Sequence, residues 1–351
     1  MSMDTVELRP GYTVTRVIRG NWQLAGGHGA IATDAALDAL QSAFDAGLTT
    51  FDCADIYTGV EALIGAFRAR LHGTRGAEAA AQLKVHTKLV PDLDRLQTLD
   101  RGYLEGIVDE SLRRLRVEQL DLVQFHWWDY AVPGAVEAMG ALADIARAGK
   151  VHLVGAANFD TPHTAAILDA GVPLASMQTQ YSLLDARPEN GLAALARAHD
   201  VALLCYGTVA GGFLGDRWLG APEPAGPLEN RSLTKYKLII DEFGGWALFQ
   251  ALLAACRRVA DRHGVDIATV ASRAVLDRPG VAAVIVGGRD TAHAAANAAV
   301  GTLRLTEADR AEIDAVLAER RGPAGDTYGL ERDRSGRHGA IMKYNLNATP
   351  H

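Results

Sequence analysis

Leu122-Val123-Gln124-Phe125, then Val151-His152-Leu153-Val154-Gly155, then Leu174-Ala175-Ser176-Met177 are the three runs whose reading decides the fold. Between the first two lies a helical pattern over 134–148, and between the second and third another over 161–168. The runs are apolar on nearly consecutive positions rather than on every second one. That is what a strand buried on both faces of a parallel sheet requires. Parallel neighbours need a long crossover, usually a helix, and the alanine-rich stretches supply it.

The same unit repeats outward in both directions. Upstream, strands fit Val14 to Arg19, Thr49 to Cys53 and Leu83 to Lys88, and helices fit 33–44, 60–70 and 99–115. Gly47 stands where a glycine ends a helix. Downstream, strands fit Val201 to Cys205 and Val281 to Val286, with helices over 191–198, 246–263, 266–276 and 291–300. An irregular stretch, Gly211 to Gly244, carries Pro222, Pro224 and Pro227. Eight strand–helix units predict an α/β protein, a (β/α)8 TIM barrel with a long insertion after the seventh strand and a C-terminal extension. One barrel domain is expected over 14–320, with 211–244 as an inserted loop region and 321–351 as a tail packed on the barrel. A doubly wound dinucleotide fold would show Gly-x-Gly-x-x-Gly after its first strand. Gly26-Gly27-His28-Gly29 lacks that spacing.

Composition narrows the function. The 351 residues are 48% hydrophobic and 22% charged, an ordinary globular balance. A net charge of −7 gives no basic footprint for nucleic acid. Three scattered cysteines, Cys53, Cys205 and Cys256, suit neither a disulfide framework nor a zinc module. No metal-ligand spacing is present, no apolar run reaches membrane length, and the first residues lack a leader pattern. A cytoplasmic protein with a small-molecule substrate, with oligomerisation open, is the expectation.

In a barrel, chemistry gathers at the C-terminal ends of the strands. There stand Asp52, Asp55 and Tyr57, then Lys88, His126, Asn158, Gln178 and Tyr206. An inward Lys88 needs a carboxylate, and Asp52 ends the neighbouring strand. A phenol beside that ammonium is expected to have its pKa lowered, so that Tyr57 can give or take a proton. His126 is expected to orient the reacting oxygen as a neutral imidazole donor. Such a site lacks only a source of hydride.

These residues resemble the aldo-keto reductase family. Phe51-Asp52-Cys53-Ala54-Asp55-Ile56-Tyr57 is similar to its strand-two signature, Thr87-Lys88 to its strand-three ending and Asp121-Leu122-Val123-Gln124-Phe125-His126 to the segment ending in its histidine. The resemblance implies a catalytic tetrad of Asp52, Tyr57, Lys88 and His126. Gly155-Ala156-Ala157-Asn158-Phe159 is similar to the motif that holds the nicotinamide carboxamide, with Ala157 in place of the usual serine. Gln178 is implied to contact the same carboxamide, and Tyr206, beside Gly207, to stack on the ring.

Val284-Ile285-Val286-Gly287-Gly288-Arg289, with Asn297, resembles the phosphate- and adenine-binding region. His293 stands where many members carry an arginine for the 2′-phosphate. The implied cofactor is NADP or NAD, with no strong preference for NADP. Trp22, Trp127 and Trp128 are expected to line the substrate pocket. The function expected is hydride transfer between a nicotinamide cofactor and an aldehyde, ketone or matching alcohol. The alternatives are a nicotinamide-binding regulatory subunit of the same fold and a cofactor-dependent isomerase or dehydratase. The tail segment Ile341 to Leu346, with apolar Met342, Tyr344 and Leu346 alternating with polar residues, is expected to lie against the barrel.

Overall fold

A computed structural model describes residues 3–25, 31–288 and 290–346. The chain begins with an antiparallel hairpin, β1 (Thr5–Arg9) and β2 (Tyr12–Thr15). Eight parallel strands follow: β3 (Val17–Gly20), β4 (Thr50–Asp52), β5 (Lys84–Leu89), β6 (Leu120–Phe125), β7 (Val151–Ala157), β8 (Leu174–Gln180), β9 (Ala202–Tyr206) and β10 (Val281–Gly287). They close in the order β10-β3-β4-β5-β6-β7-β8-β9, each paired with its sequence neighbour and β10 with β3. This is the (β/α)8 barrel.

The hairpin is a departure from the sequence reading. That reading joined Val14 to the first barrel strand, whereas Val14 belongs to β2 and the barrel strand begins at Val17. Leu8, Tyr12 and Val14 of the hairpin pack with Ile18, Leu122, Leu204 and Ile285 in one buried cluster, so the hairpin plugs the mouth opposite the strands' C-terminal ends. Short strands with alternating exposure look like loop unless the partner is known.

A second departure concerns 211–244. Its last third is a helix, Arg231–Phe243, capped where the Asn230 side chain accepts from the Leu233 amide. All three prolines precede it. Leu233, Tyr236, Ile239, Ile240 and Phe243 face inward at helical spacing and join the helices Trp246–His263 and Ile267–Leu276 in a second buried cluster. A fourth helix there, Glu307–Leu317, has no counterpart in the sequence reading, although Thr306 and Asp309 form a capping box at its start.

Beyond it the chain crosses the catalytic end of the barrel. It makes one turn of helix at Gly329–Arg332 and a 3-10 turn at Gly339–Ile341. Among the described residues no single helix is long and apolar enough to cross a membrane.

Candidate active site

Asp52, Lys88, Gln124 and His126 are buried polar groups at the ends of β4, β5 and β6. β4 is only three residues long, and its last, Asp52, is held by Asn21, whose backbone amide and side-chain amide both donate to the Asp52 carbonyl at 3.1 and 2.9 Å. The Lys88 ammonium of β5 donates to Asp52 Oδ2 at 2.6 Å and to the Cys53 carbonyl at 2.8 Å. The other carboxylate oxygen, Oδ1, accepts from Gln178 Nε2 at 2.6 Å and Gln124 Nε2 at 3.2 Å. Asp52 is thereby saturated with donors, as a buried carboxylate must be.

Tyr57 lies on the turn after β4, with Lys88 Nζ 5.0 Å from its ring centroid. Burial pulls the Lys88 ammonium down, but the combined attraction of Asp52 and Tyr57 outweighs it and leaves Lys88 above the ordinary lysine value. Tyr57 behaves otherwise than expected from sequence. Burial raises its phenol more than Lys88 lowers it, so the net shift is upward. The phenol is kept protonated, which suits a proton donor.

His126 closes the group. Its Nδ1 lies 3.0 Å from the Ala157 carbonyl. A carbonyl only accepts, so Nδ1 carries the hydrogen and the neutral ring presents a lone pair at Nε2. Nε2 is buried and has no partner among the described residues. Burial, reinforced by Arg332, pushes the imidazole down to about 3. The ring is therefore neutral, as expected, but Nε2 is an acceptor rather than the donor that the sequence suggested.

Of the tryptophans, Trp22 stands edge-on to Tyr57 at 4.9 Å and Trp128 edge-on to His126 at 4.3 Å. Trp127 does not join them. Its indole is buried against Phe125, and its N–H donates to the Asp129 and Val132 carbonyls.

The residues expected to hold a nicotinamide lie just after β7 (Asn158), on β8 (Gln178) and at the end of β9 (Tyr206). Asn158 has a left-handed backbone, φ 62°, and its Oδ1 accepts from the Tyr206 hydroxyl at 2.9 Å. Its Nδ2 is left to donate to a carboxamide oxygen. Gln178 commits its amide hydrogens to Asp52 and Gln124, which places it beneath the carboxylate. Gly207, at φ 77°, leaves room for the Tyr236 hydroxyl, which a Cβ there would meet at 2.2 Å.

At the end of β10, Gly287 lets the Gln23 side-chain amide lie against the backbone, where a Cβ would displace it. Asn297 Nδ2 donates to the Gly287 carbonyl at 2.9 Å, beside Gly288, and buried Arg19 donates to the Gly288 carbonyl at 2.8 Å. His293 pairs with Asp290 at 3.0 Å. Arg289 lies outside the described residues. A glycine turn followed by amides at the start of the next helical turn suits a phosphate. No group of three metal-ligating side chains occurs among the described residues.

Sequence reasoning missed Gln124, Asn21 and the residues from the tail. Gln124 carried a signal, since it is the one uncharged polar residue in an otherwise apolar strand end.

A closed parallel barrel thus carries a phenol, an ammonium, a carboxylate and an imidazole at its C-terminal rim, groups whose chemistry is suited to proton transfer. The Aldo/keto reductase family matches residues 16–318, and the chain belongs to that family. Its members are NAD(P)-dependent oxidoreductases of carbonyl compounds and alcohols. The chain is 30% identical over 241 residues to Protein tas of Escherichia coli, covering 63% of this chain and 68% of that protein. It is 28% identical over 260 residues to flagellar radial spoke protein 5 of Chlamydomonas reinhardtii. That match covers 64% of this chain and 49% of the other, so the chain spans about half the length of that relative. Among solved structures, the glycerol dehydrogenase of Gluconobacter oxydans shares the fold, with a TM-score of 0.76 and 24% identity over 93% of this chain and 98% of that one.

Proposed function

We propose that this protein interconverts an aldehyde or ketone and the matching alcohol with NADP or NAD, and that Asp52, Tyr57, Lys88 and His126 carry the proton chemistry. The observation that carries this reading is the chain of contacts from Asp52 through Lys88 to a buried, protonated Tyr57. When bound, a nicotinamide cofactor supplies or accepts the hydride. Asn158 would hold its carboxamide, Tyr206 would face its ring, and Gly287, Gly288, Arg289 and Asn297 would receive its phosphates and adenosine. The Asn158 amide hydrogens and the glycine turn after β10 fit such a group.

In reduction, the Tyr57 hydroxyl donates to the carbonyl oxygen, polarises it and yields its proton as the alcohol forms. Lys88, fixed by Asp52, stabilises the phenolate left behind. His126 Nε2 accepts from the new hydroxyl and holds the alcohol in place. Oxidation runs the same contacts in reverse. Trp22 and Trp128 flank the reacting groups and exclude water on two sides, which strengthens these contacts.

Because His293 is held by Asp290 and is shorter than an arginine, NADP should not be strongly preferred over NAD. The test is a panel of aldehydes, ketones, aldoses and alcohols, followed at the nicotinamide absorbance band with both cofactors in both directions. Coupled turnover on a member of the panel supports the reading. Binding of nucleotide without turnover on any of them favours a binding role, a reading consistent with likeness to a flagellar spoke protein.

A further inference from the structure

The single helical turn Gly329–Arg332 places two neighbouring side chains into the catalytic end of the barrel. Glu331 is buried and accepts from Arg187 Nη1 and Nη2 at 2.9 and 3.0 Å, with Lys235 Nζ 3.6 Å away. Arg187 is itself locked to Asp185. That network anchors the turn. Arg332 then reaches further in: Nη1 donates to the Asn158 carbonyl at 2.8 Å and Nη2 to the Trp127 carbonyl at 2.7 Å.

Those two carbonyls are not arbitrary. Trp127 follows His126, and Asn158 follows Ala157, whose carbonyl takes the His126 Nδ1 hydrogen. The regular pairing of β6 with β7 ends at Phe125 and Ala156. Beyond that point the His126 amide donates to Leu89 and the Asn158 amide to Gln178, each on the outer neighbour, and the Arg332 fork joins the two strand ends. A lysine cannot do this, because its ammonium is a point charge on a flexible stem, whereas guanidinium is a rigid planar fork. The guanidinium also lies 4.0 Å from the Tyr130 ring centroid and 5.3 Å from that of Tyr328, while Tyr328 stands edge-on to His126 at 5.6 Å. No carboxylate pairs with Arg332 among the described residues.

We propose that Arg332 is a positioning residue for the catalytic site: its guanidinium clamps the ends of β6 and β7 together and so fixes His126 and Asn158 relative to Tyr57. This rests on the oxidoreductase reading for its kinetic consequences but not for its structural ones. The groups facing His126 are Lys88 from β5, Arg332 and Tyr328 from the tail, Trp128 from its own loop and the Ala157 carbonyl from β7. Two of them are cations, so the clamp also disfavours the imidazolium.

The experiment uses the full chain as wild type, Arg332→Ala, Arg332→Lys and, as an exposed tail control, Lys343→Ala. His126 is titrated by NMR without cofactor, its resonance assigned with His126→Gln, and kinetics are measured on a substrate that the wild type turns over. Arg332→Ala should raise the His126 midpoint by at least about one pH unit and lower kcat/KM by about tenfold or more. Arg332→Lys should keep the midpoint low yet still lose kcat/KM, which separates the fork from the charge. Lys343→Ala should match wild type in both. An Arg332→Ala protein with both readouts unchanged overturns the proposal. If Arg332→Ala does not fold, Arg332→Lys with wild-type kinetics overturns it equally. A wild type without nicotinamide-coupled turnover defeats the oxidoreductase reading alone, since amide hydrogen exchange at His126 and Asn158 still judges the clamp: Arg332→Ala and Arg332→Lys should both accelerate it, and wild-type protection in both overturns the proposal.

Discussion

At the scale of residues, the site is organised by one buried ion pair. Lys88 and Asp52 are both buried, and each satisfies the other. Removing one member of such a pair leaves the other charged without compensation, which typically costs about 3–5 kcal/mol. Lys88→Met should therefore lower stability to chemical denaturation by about 3 kcal/mol, less whatever the two glutamine donors on Asp52 recover. It should also suppress turnover, since a phenolate on Tyr57 loses its counter-charge. A variant within about 1 kcal/mol of wild type would show that the pair contributes little.

The pairing of Asp52 with Lys88 was legible in the sequence because a lysine ending an apolar run must find a carboxylate. The direction of the Tyr57 shift was not legible, because it depends on how far burial outweighs the nearby ammonium, and depth is a property of the fold. The inward turn of Trp127 was hidden for the same reason: two adjacent tryptophans in a loop look alike until one of them packs on Phe125.

At the scale of elements, the tail is the part whose position decides most about the site. Tyr344 stands edge-on to Trp128 at 5.0 Å, and Asn345 Oδ1 accepts from the Asp94 amide at 3.1 Å. The outer tail thus braces the tryptophan that flanks His126. Deleting residues 337–351 removes these contacts and spares Glu331 and Arg332. The far-UV circular dichroism should be preserved, while KM rises several-fold and kcat changes less. Unchanged kinetics would mean that the outer tail does not brace the pocket.

The alternation Met342, Tyr344, Leu346 suggested an extended packed segment, whereas the chain turns at Asn345, whose φ of 54° is left-handed, and the three apolar residues are half-buried. The deeper insertion at Tyr328–Arg332 gave no periodic signal, since one turn of helix is too short to show one. The helix Arg231–Phe243 was obscured differently. Its inward face is regular, but the glycine- and proline-rich stretch before it led the whole region to be read as irregular.

At the scale of the whole molecule, the eight-strand order followed from the repeating apolar runs, whereas the plugging hairpin did not, because its two strands are short and half exposed. The barrel interior has a consequence for stability. Burial, with a smaller contribution from Lys88, pushes His86 down to about 3, and burial with Arg332 does the same to His126. In the unfolded chain each ring binds a proton below about pH 6.5. Between pH 6.5 and 3 the unfolded state therefore holds more protons, and stability falls as pH falls. Each histidine contributes a slope of up to about 1.4 kcal/mol per pH unit in that window. Urea midpoints should decline steadily from pH 6.5 to pH 4.5, and less steeply in His86→Gln. A flat profile over that range would show that the two rings are protonated in the folded state.

The central claim is that the Tyr57 hydroxyl is the proton donor of a nicotinamide-dependent carbonyl reduction. Tyr57→Phe removes that hydroxyl while keeping the ring against Trp22 and Lys88. The decisive measurement is single-turnover oxidation of bound reduced nucleotide by a substrate of the wild type, alongside the nucleotide dissociation constant. The dissociation constant should stay within about twofold, while the single-turnover rate falls by about a hundredfold or more. A variant that binds the nucleotide normally and transfers hydride at the wild-type rate would contradict the account.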